Sequence, residues 1–360
     1  MRVGITVVIC TYNGARLLPE TLRYLANQRV RQGIDWEIIV INNASTDNTS
    51  EIAVTEWEKY QNNIQLSLYN QPRQGLTFAR ELGFEKSNFE FVLFCDDDNL
   101  LYPDYLNLSY DLMVMRPSIG VLGGYGELLF EVTPPSWAKN YRLFANGPQA
   151  ETSGKVPNNK VYGAGFIIRK SAYDLLIKAG FKPLLTDRKA EYLSSGGDYE
   201  ICYAIALAGY DIWYEENLKF KHFMPKERIN TKYYKKFVKQ SPKSFEVLIP
   251  YRIRANNGFD SIILFYLKLI KIFFTYFFML FPLLREHTRS HPGTARAKLN
   301  SLRLASLKYK LLSFRNFFTM RDNFLKIKEF EQVKLQAYKK KNTVVIEKES
   351  QALNYKAYQI

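Results

Sequence analysis

The sequence has little cysteine and little histidine, with three residues of each type among 360. Cys10, Cys95 and Cys202 are widely spaced, which excludes a disulfide framework or a cysteine-based zinc site and favours a reducing compartment. The first residues enter an apolar run at once, without the layout of a secretory signal. We therefore expect the bulk of the chain to be cytoplasmic. The 47% hydrophobic content excludes wholesale disorder.

The charge is distributed unevenly along the chain. The net charge of +15 divides into −4 for residues 1–225 and +19 for residues 226–360. A basic carboxyl-terminal region favours polyanionic partners, either an anionic membrane or a nucleic acid. We predict an amino-terminal domain at 1–225, a basic, helical, membrane-associating region at 226–345 and a flexible tail at 346–360.

Apolar strand patterns alternate with helical patterns in the first hundred residues. Continuous apolar runs at 4–11, 36–41 and 89–94 are typical of buried parallel strands. This alternation predicts an α/β fold with a mostly parallel sheet flanked by helices. Ligands bind beyond the carboxyl ends of such strands, where polar loops follow each run.

The strand pattern loosens from about residue 121. We predict a long excursion loop from residue 134 to residue 159, a strand at 161–169 that is interrupted by glycine, and a short strand at 210–214. Another helix is predicted at 199–208.

Three successive aspartates, Asp96, Asp97 and Asp98, follow the apolar run at 89–94. Neighbouring carboxylates repel one another, and a divalent cation resolves the conflict because hard oxygen ligands suit Mg²⁺ and Mn²⁺. Alternation along an extended segment places Asp96 and Asp98 on one side, so both could reach one ligand. The alternative is a solvated acidic turn or a helix cap.

Several motifs together resemble the family 2 glycosyltransferases, which are nucleotide-sugar-dependent enzymes of the GT-A fold. The matching segments are TYN at 11–13, WEIIVINNASTDNT at 36–49, QGLTFAR at 74–80, CDDDN at 95–99, GAG at 163–165 and SGGDYE at 195–200. The resemblance extends over residues 3–225 in the order and spacing of that family, which is more specific than any one motif.

The resemblance implies an inverting transfer of sugar from a nucleoside diphosphate, typically UDP. It implies that Asp98 binds a Mn²⁺ or Mg²⁺ ion that bridges the donor phosphates, and that Asp96 holds the ribose or a water on that metal. The family's acidic residue that accepts the uracil N–H is replaced by Asn42, which keeps a carbonyl acceptor but loses the charge. The other donor and acceptor candidates are Thr11, Tyr12, Asn13, Asp47, Gly75, Arg80, Asp97 and Glu200.

Asp198 matches the catalytic aspartate of that family, the general base that deprotonates the acceptor hydroxyl. The residue before it is commonly Glu in the family but is Gly197 in this chain. The alternative reading of Asp198 is the N-cap of the helix predicted at 199–208.

Weaker candidates complete the predicted site. His222 is a candidate third metal ligand, although a lone histidine can also be a packed residue. Trp137 and Tyr162 could present an aromatic face to an acceptor sugar, or belong to the core. Gly163, Ala164 and Gly165 permit close approach of the backbone to a ligand, or form a bulge.

The carboxyl-terminal region combines positive charge with large apolar surface. Its longest charge-free run, residues 272–284, is shorter than the roughly 20 residues of a clean membrane span. We therefore expect an amphipathic helix lying in the inner face of the cell membrane. The alternative is an ordinary helical subdomain that packs on the catalytic domain.

Three hypotheses about function follow. The leading one is a membrane-associated, metal-dependent glycosyltransferase that extends a cell-surface glycan or a lipid-linked acceptor. The second, motivated by Asn42 and Gly197, is a catalytically weakened protein that binds a nucleotide-sugar or a glycan. The third is a nucleic-acid-binding protein, which is disfavoured because no base-reading motif is present.

Overall fold

The computed structural model describes residues 2–61, 63–138, 144–187, 193 and 195–338. The flexible tail predicted at 346–360 lies outside the described residues, as does the end of the region predicted at 226–345.

The amino-terminal half of the sheet is parallel, as the apolar runs predict. Its strands are β1 (Arg2–Thr11), β2 (Trp36–Asn42), β3 (Leu66–Asn70) and β4 (Phe89–Phe94), in the spatial order β3-β2-β1-β4. The connecting helices are α1 (Leu18–Ala26), α2 (Thr49–Glu58) and α3 (Leu76–Lys86). Ile5, Val7 and Ile9 of β1 have no solvent exposure, because helices cover both faces of the sheet.

The second half of the sheet is joined to the first by antiparallel pairing of β4 with a later strand. The strands are β5 (Asn99–Leu101), β6 (Ile119–Phe130), β7 (Gly154–Lys155), β8 (Ile167–Arg169) and β9 (Asp211–Met224). The helices are α4 (Tyr105–Met115), α5 (Lys170–Lys178) and α6 (Gly197–Leu207). The mixed sheet and its flanking helices confirm the predicted α/β class with a GT-A-like architecture.

Two strand predictions in this half are wrong in their bounds. The short strand predicted at 210–214 is the fourteen-residue β9, and the strand predicted at 161–169 is confined to Ile167–Arg169. The twelve-residue strand β6 lies where the sequence pattern loosens and is not predicted. Glycines interrupt the apolar pattern of β6 in the sequence. At Gly124 the glycine is needed because the backbone of β6 lies close to β9. A β carbon on Gly124 would lie 2.1 Å from the carbonyl oxygen of Leu218, so this position tolerates no side chain.

Five helices form the described carboxyl-terminal region: α7 (Thr231–Gln240), α8 (Pro242–Asn257), α9 (Ile262–Arg289), α10 (Ala295–Ser313) and α11 (Phe317–Glu329). Val247 and Tyr251 of α8 and Ile327 of α11 belong to the same hydrophobic core as β1 and α6. The predicted boundary at residue 225 stays a prediction, and the segments on its two sides share a core.

Helix α9 is the one helix in the described residues that is long and apolar enough to cross a membrane. One face of it packs on α11, where Phe265 stacks on Phe324 with ring centroids 4.4 Å apart. Its other apolar side chains are exposed, among them Ile263 at 67% and Phe278 at 62%. The region is therefore helical and packed on the domain, with an uncovered apolar face.

Candidate active site

The loops that follow β1 and β2 interlock at the carboxyl edge of the sheet. Asn13 donates its backbone N–H to the hydroxyl of Ser45, at 2.9 Å, and accepts at Oδ1 from the backbone N–H of Thr46, at 2.8 Å. Asn13 adopts a left-handed conformation with φ of 52°, which asparagine tolerates because its short side chain bonds locally. The adjacent Tyr12 is 47% exposed, so its ring is available to a ligand.

Asp47 and Asn42 hold the second loop in place. The carboxylate of Asp47 accepts the backbone N–H groups of Thr49, at the start of α2, and of Ala15. The side chain of Asn42 donates to the hydroxyl of Ser50, at 2.6 Å, and accepts at Oδ1 from the backbone N–H of Ser45, at 3.1 Å. One lone pair of that oxygen is thus used inside the loop, and the second is the acceptor that a base could use.

Asp97 connects the loop after β4 to the loop after β1. Its carboxylate accepts the hydroxyl of Thr11, at 2.6 Å, and its backbone carbonyl accepts the hydroxyl of Thr21, at 2.8 Å. Burial and the adjacent Asp98 raise the pKa of Asp97 to about 7. A β carbon on Gly14 would lie 2.5 Å from the same carboxylate, so glycine is required there. These contacts give Asp97 a positioning role at the rim.

Asp98 points toward β9 and is 3% exposed. The antiparallel register pairs Asn99 with His222, which brings Oδ1 of Asp98 to 3.6 Å from Nε2 of His222. Oδ2 of Asp98 accepts from Nη1 of Arg228, at 2.6 Å. Burial acts to raise the pKa of Asp98, but the Arg228 guanidinium prevails and holds that pKa well below its usual range.

Asp98 and His222 are the two candidate metal ligands at this position. Nδ1 of His222 lies 3.1 Å from the carbonyl oxygen of Ala145, and the tautomer that donates to this carbonyl would direct its Nε2 lone pair toward Asp98. No group of three His, Cys, Asp or Glu side chains in the described ranges could by itself hold a metal ion. Asp98 and His222 therefore fit a Mn²⁺ or Mg²⁺ ion that takes its remaining ligands from phosphate and water.

Asp96 lies on the other side of the aspartate turn. Its charge acts on Arg80 and Cys10, whereas the charge of Asp98 acts on Arg228. The predicted joint action of Asp96 and Asp98 on one metal stays a prediction. The structure relates Asp96 to Arg80 and Asp98 to His222.

Arg80 is the buried cation at the centre of the site, with a side chain 7% exposed. It lies 3.6 Å from the carboxylate of Asp187 and over the rings of Phe94 and Phe166, at 5.9 and 5.6 Å. Burial acts to lower the pKa of Arg80, but Asp187, Asp198 and Asp96 together raise it, in that order of effect. Arg80 is thus close to carboxylates from both the β4 loop and α6.

Asp198 lies in the first turn of α6 and not at its cap. The helix begins at Gly197, after Gly196 at the N-cap, so the predicted start at residue 199 and the N-cap alternative for Asp198 are wrong. One carboxylate oxygen of Asp198 accepts the backbone N–H of Gly163, at 2.8 Å, and the other accepts that of Tyr199, at 2.9 Å. These bonds orient the carboxylate and leave it partly exposed.

The backbone at Gly163 lies so close to Asp198 and Arg80 that there is no room for a side chain. A β carbon there would lie 2.9 Å from Cβ of Asp198 and 3.0 Å from Nη2 of Arg80. The absence of a side chain therefore allows the backbone to donate to Asp198 beside Arg80. Gly165 has φ of 69°, a left-handed conformation that favours glycine, and its carbonyl accepts the hydroxyl of Tyr105, at 2.5 Å.

A close contact with the Asp187 carboxylate explains why residue 197 is a glycine. Its Oδ2 accepts the backbone N–H of Gly197, at 2.7 Å, and a β carbon on Gly197 would lie 2.6 Å from the same oxygen. The carbonyl of Asp187 also accepts the N–H of Leu76, at 2.9 Å, next to Gly75. Gly75 has φ of 140° and donates its N–H to Asn43, at 2.8 Å. Asp187 thus couples the starts of α3 and α6.

Two predicted substrate contacts are corrected by the structure. Trp137 is 6% exposed and packs with Phe144, Met224 and Leu302 in the carboxyl-terminal core, so it offers no face to a sugar. Glu200 has no exposed surface and accepts the backbone N–H groups of Leu184 and Leu185. Burial raises the pKa of Glu200 to about 8.

Tyr162 and Ala164, two further predicted substrate contacts, are engaged inside the protein. The hydroxyl of Tyr162 donates to a carbonyl of the β6 region and accepts the backbone N–H of Gly126, at 2.7 Å. Ala164 is 5% exposed and packs in the core beneath the glycines.

Sequence reasoning missed Arg228 and Asp187. Arg228 lies in a short 3₁₀ turn after β9, just beyond the predicted domain boundary, and no motif marks it. That turn is held by Arg16, which contacts Glu131 at 2.8 Å and Glu227 at 3.4 Å. An arginine soon after a candidate metal-binding histidine is the signal that could have led to it.

The mixed sheet with its polar rim is a GT-A-like fold. It is similar to the crystal structure of S. aureus TarS 1-349 in complex with UDP, with a TM-score of 0.52 and 17% identity. That match covers 91% of this chain and 90% of the other, and at this identity it bears on the fold alone. Residues 6–176 match the family model Glycosyl transferase family 2. The amino-terminal half of the chain is therefore similar to the family 2 glycosyltransferases over the matched residues.

Curated relatives match over shorter segments. A cholesterol galactosyltransferase of Borreliella burgdorferi is 31% identical over 108 residues, which is 30% of this chain and 28% of that protein. A poly(ribitol-phosphate) beta-N-acetylglucosaminyltransferase, TarP of Staphylococcus aureus, is 27% identical over 122 residues, which is 34% of this chain and 36% of that protein. The matched segments thus span about a third of these relatives.

Proposed function

We propose that the protein transfers a sugar from a UDP-sugar to a hydroxyl of a growing cell-surface glycan or of a lipid-linked acceptor. The observation that carries this proposal is the position of Arg80 beside Asp198 of α6: a β carbon on Gly163 would lie 3.0 Å from Nη2 of Arg80 and 3.3 Å from Oδ2 of Asp198. The charge of Asp96, from the β4 loop, also acts on Arg80. A carboxylate suited to proton abstraction is thus close to the loop suited to a donor, at the ligand-binding edge of the sheet.

The donor is proposed to lie across the loops after β1, β2 and β4. Tyr12, the exposed aromatic residue of the first loop, is suited to contact the base. Asn42 offers its remaining carbonyl lone pair in the second loop. UDP is the typical donor nucleotide of the family that the sequence resembles, and the TarS structure of similar fold is a complex with UDP.

Mn²⁺ or Mg²⁺ is the proposed cofactor, held by Asp98 and His222. A divalent ion bound there would neutralise the charge that develops on the leaving diphosphate. Arg228 already neutralises Asp98, so its guanidinium must move away from one carboxylate oxygen before that oxygen binds a metal. Arg228 is then free to contact an anionic group nearby.

Asp198 is the proposed general base. Its carboxylate takes the proton of the acceptor hydroxyl while the hydroxyl oxygen attacks the anomeric carbon. The bond from that carbon to the phosphate oxygen breaks, and UDP leaves with the electron pair. The backbone bonds from Gly163 and Tyr199 fix the carboxylate in place, which favours the proton transfer.

An anionic membrane is the proposed location of the enzyme, at the inner face of the cell membrane. The exposed face of α9 includes Leu267, Ile270 and Phe274, and Lys271 is exposed on the same helix. Apolar surface with neighbouring cations favours an interfacial helix, since both the hydrophobic and the electrostatic contributions act together. A helix that also packs on α11 is less suited to crossing the bilayer.

A catalytically weakened binding protein is the second candidate. Asn42 favours it, because the residue lacks the charge of the family's acidic residue. Gly197 no longer favours it, because Asp187 supplies a carboxylate directly against that glycine. The two candidates differ only in whether the donor is turned over.

A panel of nucleotide-sugars tests the proposal. The purified protein is incubated with each donor and with Mn²⁺, Mg²⁺ or a chelator, and released nucleoside diphosphate is quantified by chromatography. We expect release from one UDP-sugar that depends on the metal. UDP binding by calorimetry without turnover of any donor would instead support the binding protein.

A further inference from the structure

Lys160 lies within the electrostatic reach of two other basic side chains, Arg252 and Lys310, and of Asp198. Lys160 precedes Gly163, the residue that donates to Asp198, and its Nζ lies 4.6 Å from the centre of the Tyr199 ring. The ammonium group therefore lies against the residue that follows Asp198, and the charge of Asp198 acts on it.

The loop that carries Lys160 is attached to the end of α8. The side-chain amide of Asn159 donates to Oδ1 of Asn256, at 3.0 Å, and to the carbonyl of Ala255, at 3.4 Å. Arg252 lies three to four residues earlier on α8, so it shares a helix face with these two positions. Arg252 is thus directed to the same side of α8 as Lys160.

Lys310 of α10 completes the cluster. Its Nζ lies 5.9 Å from the ring of Phe245 on α8 and 5.6 Å from the ring of Tyr276 on α9. Phe245 precedes Arg252 by two helical turns and shares its face. Next to Arg252, Tyr251 stacks on Tyr203 of α6 with ring centroids 6.2 Å apart. The three cations therefore border one surface formed by α6, α8, α9 and α10.

Within the described ranges, no carboxylate forms an ion pair with Lys160, Arg252 or Lys310. Burial lowers the pKa of Lys160, and the neighbouring charges of Arg252 and Lys310 lower it further, while Asp198 acts in the opposite direction. Grouped like charges repel one another, and an anionic ligand would relieve this repulsion.

We propose that Lys160, Arg252 and Lys310 form an acceptor subsite that binds a phosphate group carried by the acceptor, close to the hydroxyl that Asp198 deprotonates. This inference rests on the proposed function, since it assumes that the acceptor reaches Asp198. A guanidinium and two ammonium groups match the charge and the oxygen geometry of a phosphate. The site is distinct from the proposed donor site, which is built from the loops after β1, β2 and β4.

Two probes distinguish the sources of such a phosphate. Glycerol 3-phosphate represents a soluble phosphorylated glycan, and farnesyl phosphate in neutral detergent micelles represents a lipid-linked acceptor. Calorimetry measures the affinity of the full chain for each probe, and UDP is titrated separately. Both measurements are independent of turnover, so a failed transfer assay and a failed subsite remain distinguishable.

The double variant Arg252→Gln with Lys310→Gln is the test. We expect it to lose at least tenfold in affinity for the probe that binds the wild type, because two charge-assisted bonds are removed. UDP affinity should change less than twofold. Lys308→Gln is the matched control, since Lys308 is exposed on the same helix two residues from Lys310. Circular dichroism verifies that each variant is folded.

The possible results separate cleanly. Selective loss of phosphate affinity in the double variant supports the subsite, and preference for either probe then identifies the source. The proposal is overturned if the double variant binds the probe as tightly as the wild type, or if Lys308→Gln loses as much affinity for it. It is also overturned if the double variant loses UDP affinity in parallel, or if neither probe binds the wild type.

Discussion

Replacement of Asp198 by asparagine removes the proposed base and preserves its shape. Asp198 accepts one backbone N–H at each carboxylate oxygen. Asparagine keeps one of these two acceptors, so we expect a loss of about 1 kcal/mol in the free energy of unfolding. The loss of a general base costs much more in rate, about 10²- to 10⁴-fold, equivalent to about 2.7–5.5 kcal/mol in the activation barrier.

The assay for this variant combines three measurements. Turnover of the active donor gives the rate, calorimetry gives UDP affinity, and urea denaturation gives stability. Asp104→Asn is the control, because Asp104 is an exposed acid whose partner is the surface residue Arg29, at 3.0 Å. Wild-type turnover in Asp198→Asn would refute the assignment, as would a rate loss matched by an equal loss of UDP affinity.

Three further substitutions test other contacts of the site. Arg228→Gln leaves the Asp98 carboxylate buried without its cation, so the free energy of unfolding should fall by about 3 kcal/mol. Mn²⁺ should then raise the melting temperature of the variant more than that of the wild type, and an equal increase in both proteins would contradict this. Gly197→Ala should lower the free energy of unfolding by about 1–3 kcal/mol in denaturation experiments, because the added β carbon would clash with the Asp187 carboxylate. Unchanged stability would show that the Asp187 side chain can move away without cost. Glu200 has a folded pKa of about 8 against an ordinary 4.5, so the folded state holds a proton that the unfolded state releases between these values. The free energy of unfolding should therefore fall as pH rises through that window, by up to about 1.4 kcal/mol per unit, and Glu200→Gln should flatten the dependence; parallel curves would contradict the assignment.

The parallel half of the fold could be predicted because its strands are buried on both faces. A continuous apolar run such as that of β4 predicts a buried strand, and the strand Phe89–Phe94 has the predicted bounds. The second half could not be predicted in the same way. In β6 the glycines that permit its close approach to β9 also remove the apolar pattern that would identify it.

The residues of the site fall into two groups for a similar reason. Asp98 could be identified because it follows strand β4 and topology brings strand ends together, and Asp198, in the first turn of α6, could be identified by its motif. Arg228 and Asp187 depend on tertiary contacts with those residues, and neither lies in a recognisable pattern. Trp137 shows the converse, since an aromatic residue in a loop segment carries no sign of whether it faces a ligand or the core.

The most direct test of the account is a calorimetric titration of UDP with and without Mn²⁺, in the wild type and in Asp98→Ala. Diphosphate binding at the end of β4 predicts that Mn²⁺ strengthens UDP binding in the wild type and has no such effect in the variant. The same strengthening in both proteins would contradict the claim that the β4 aspartates bind the metal–diphosphate group.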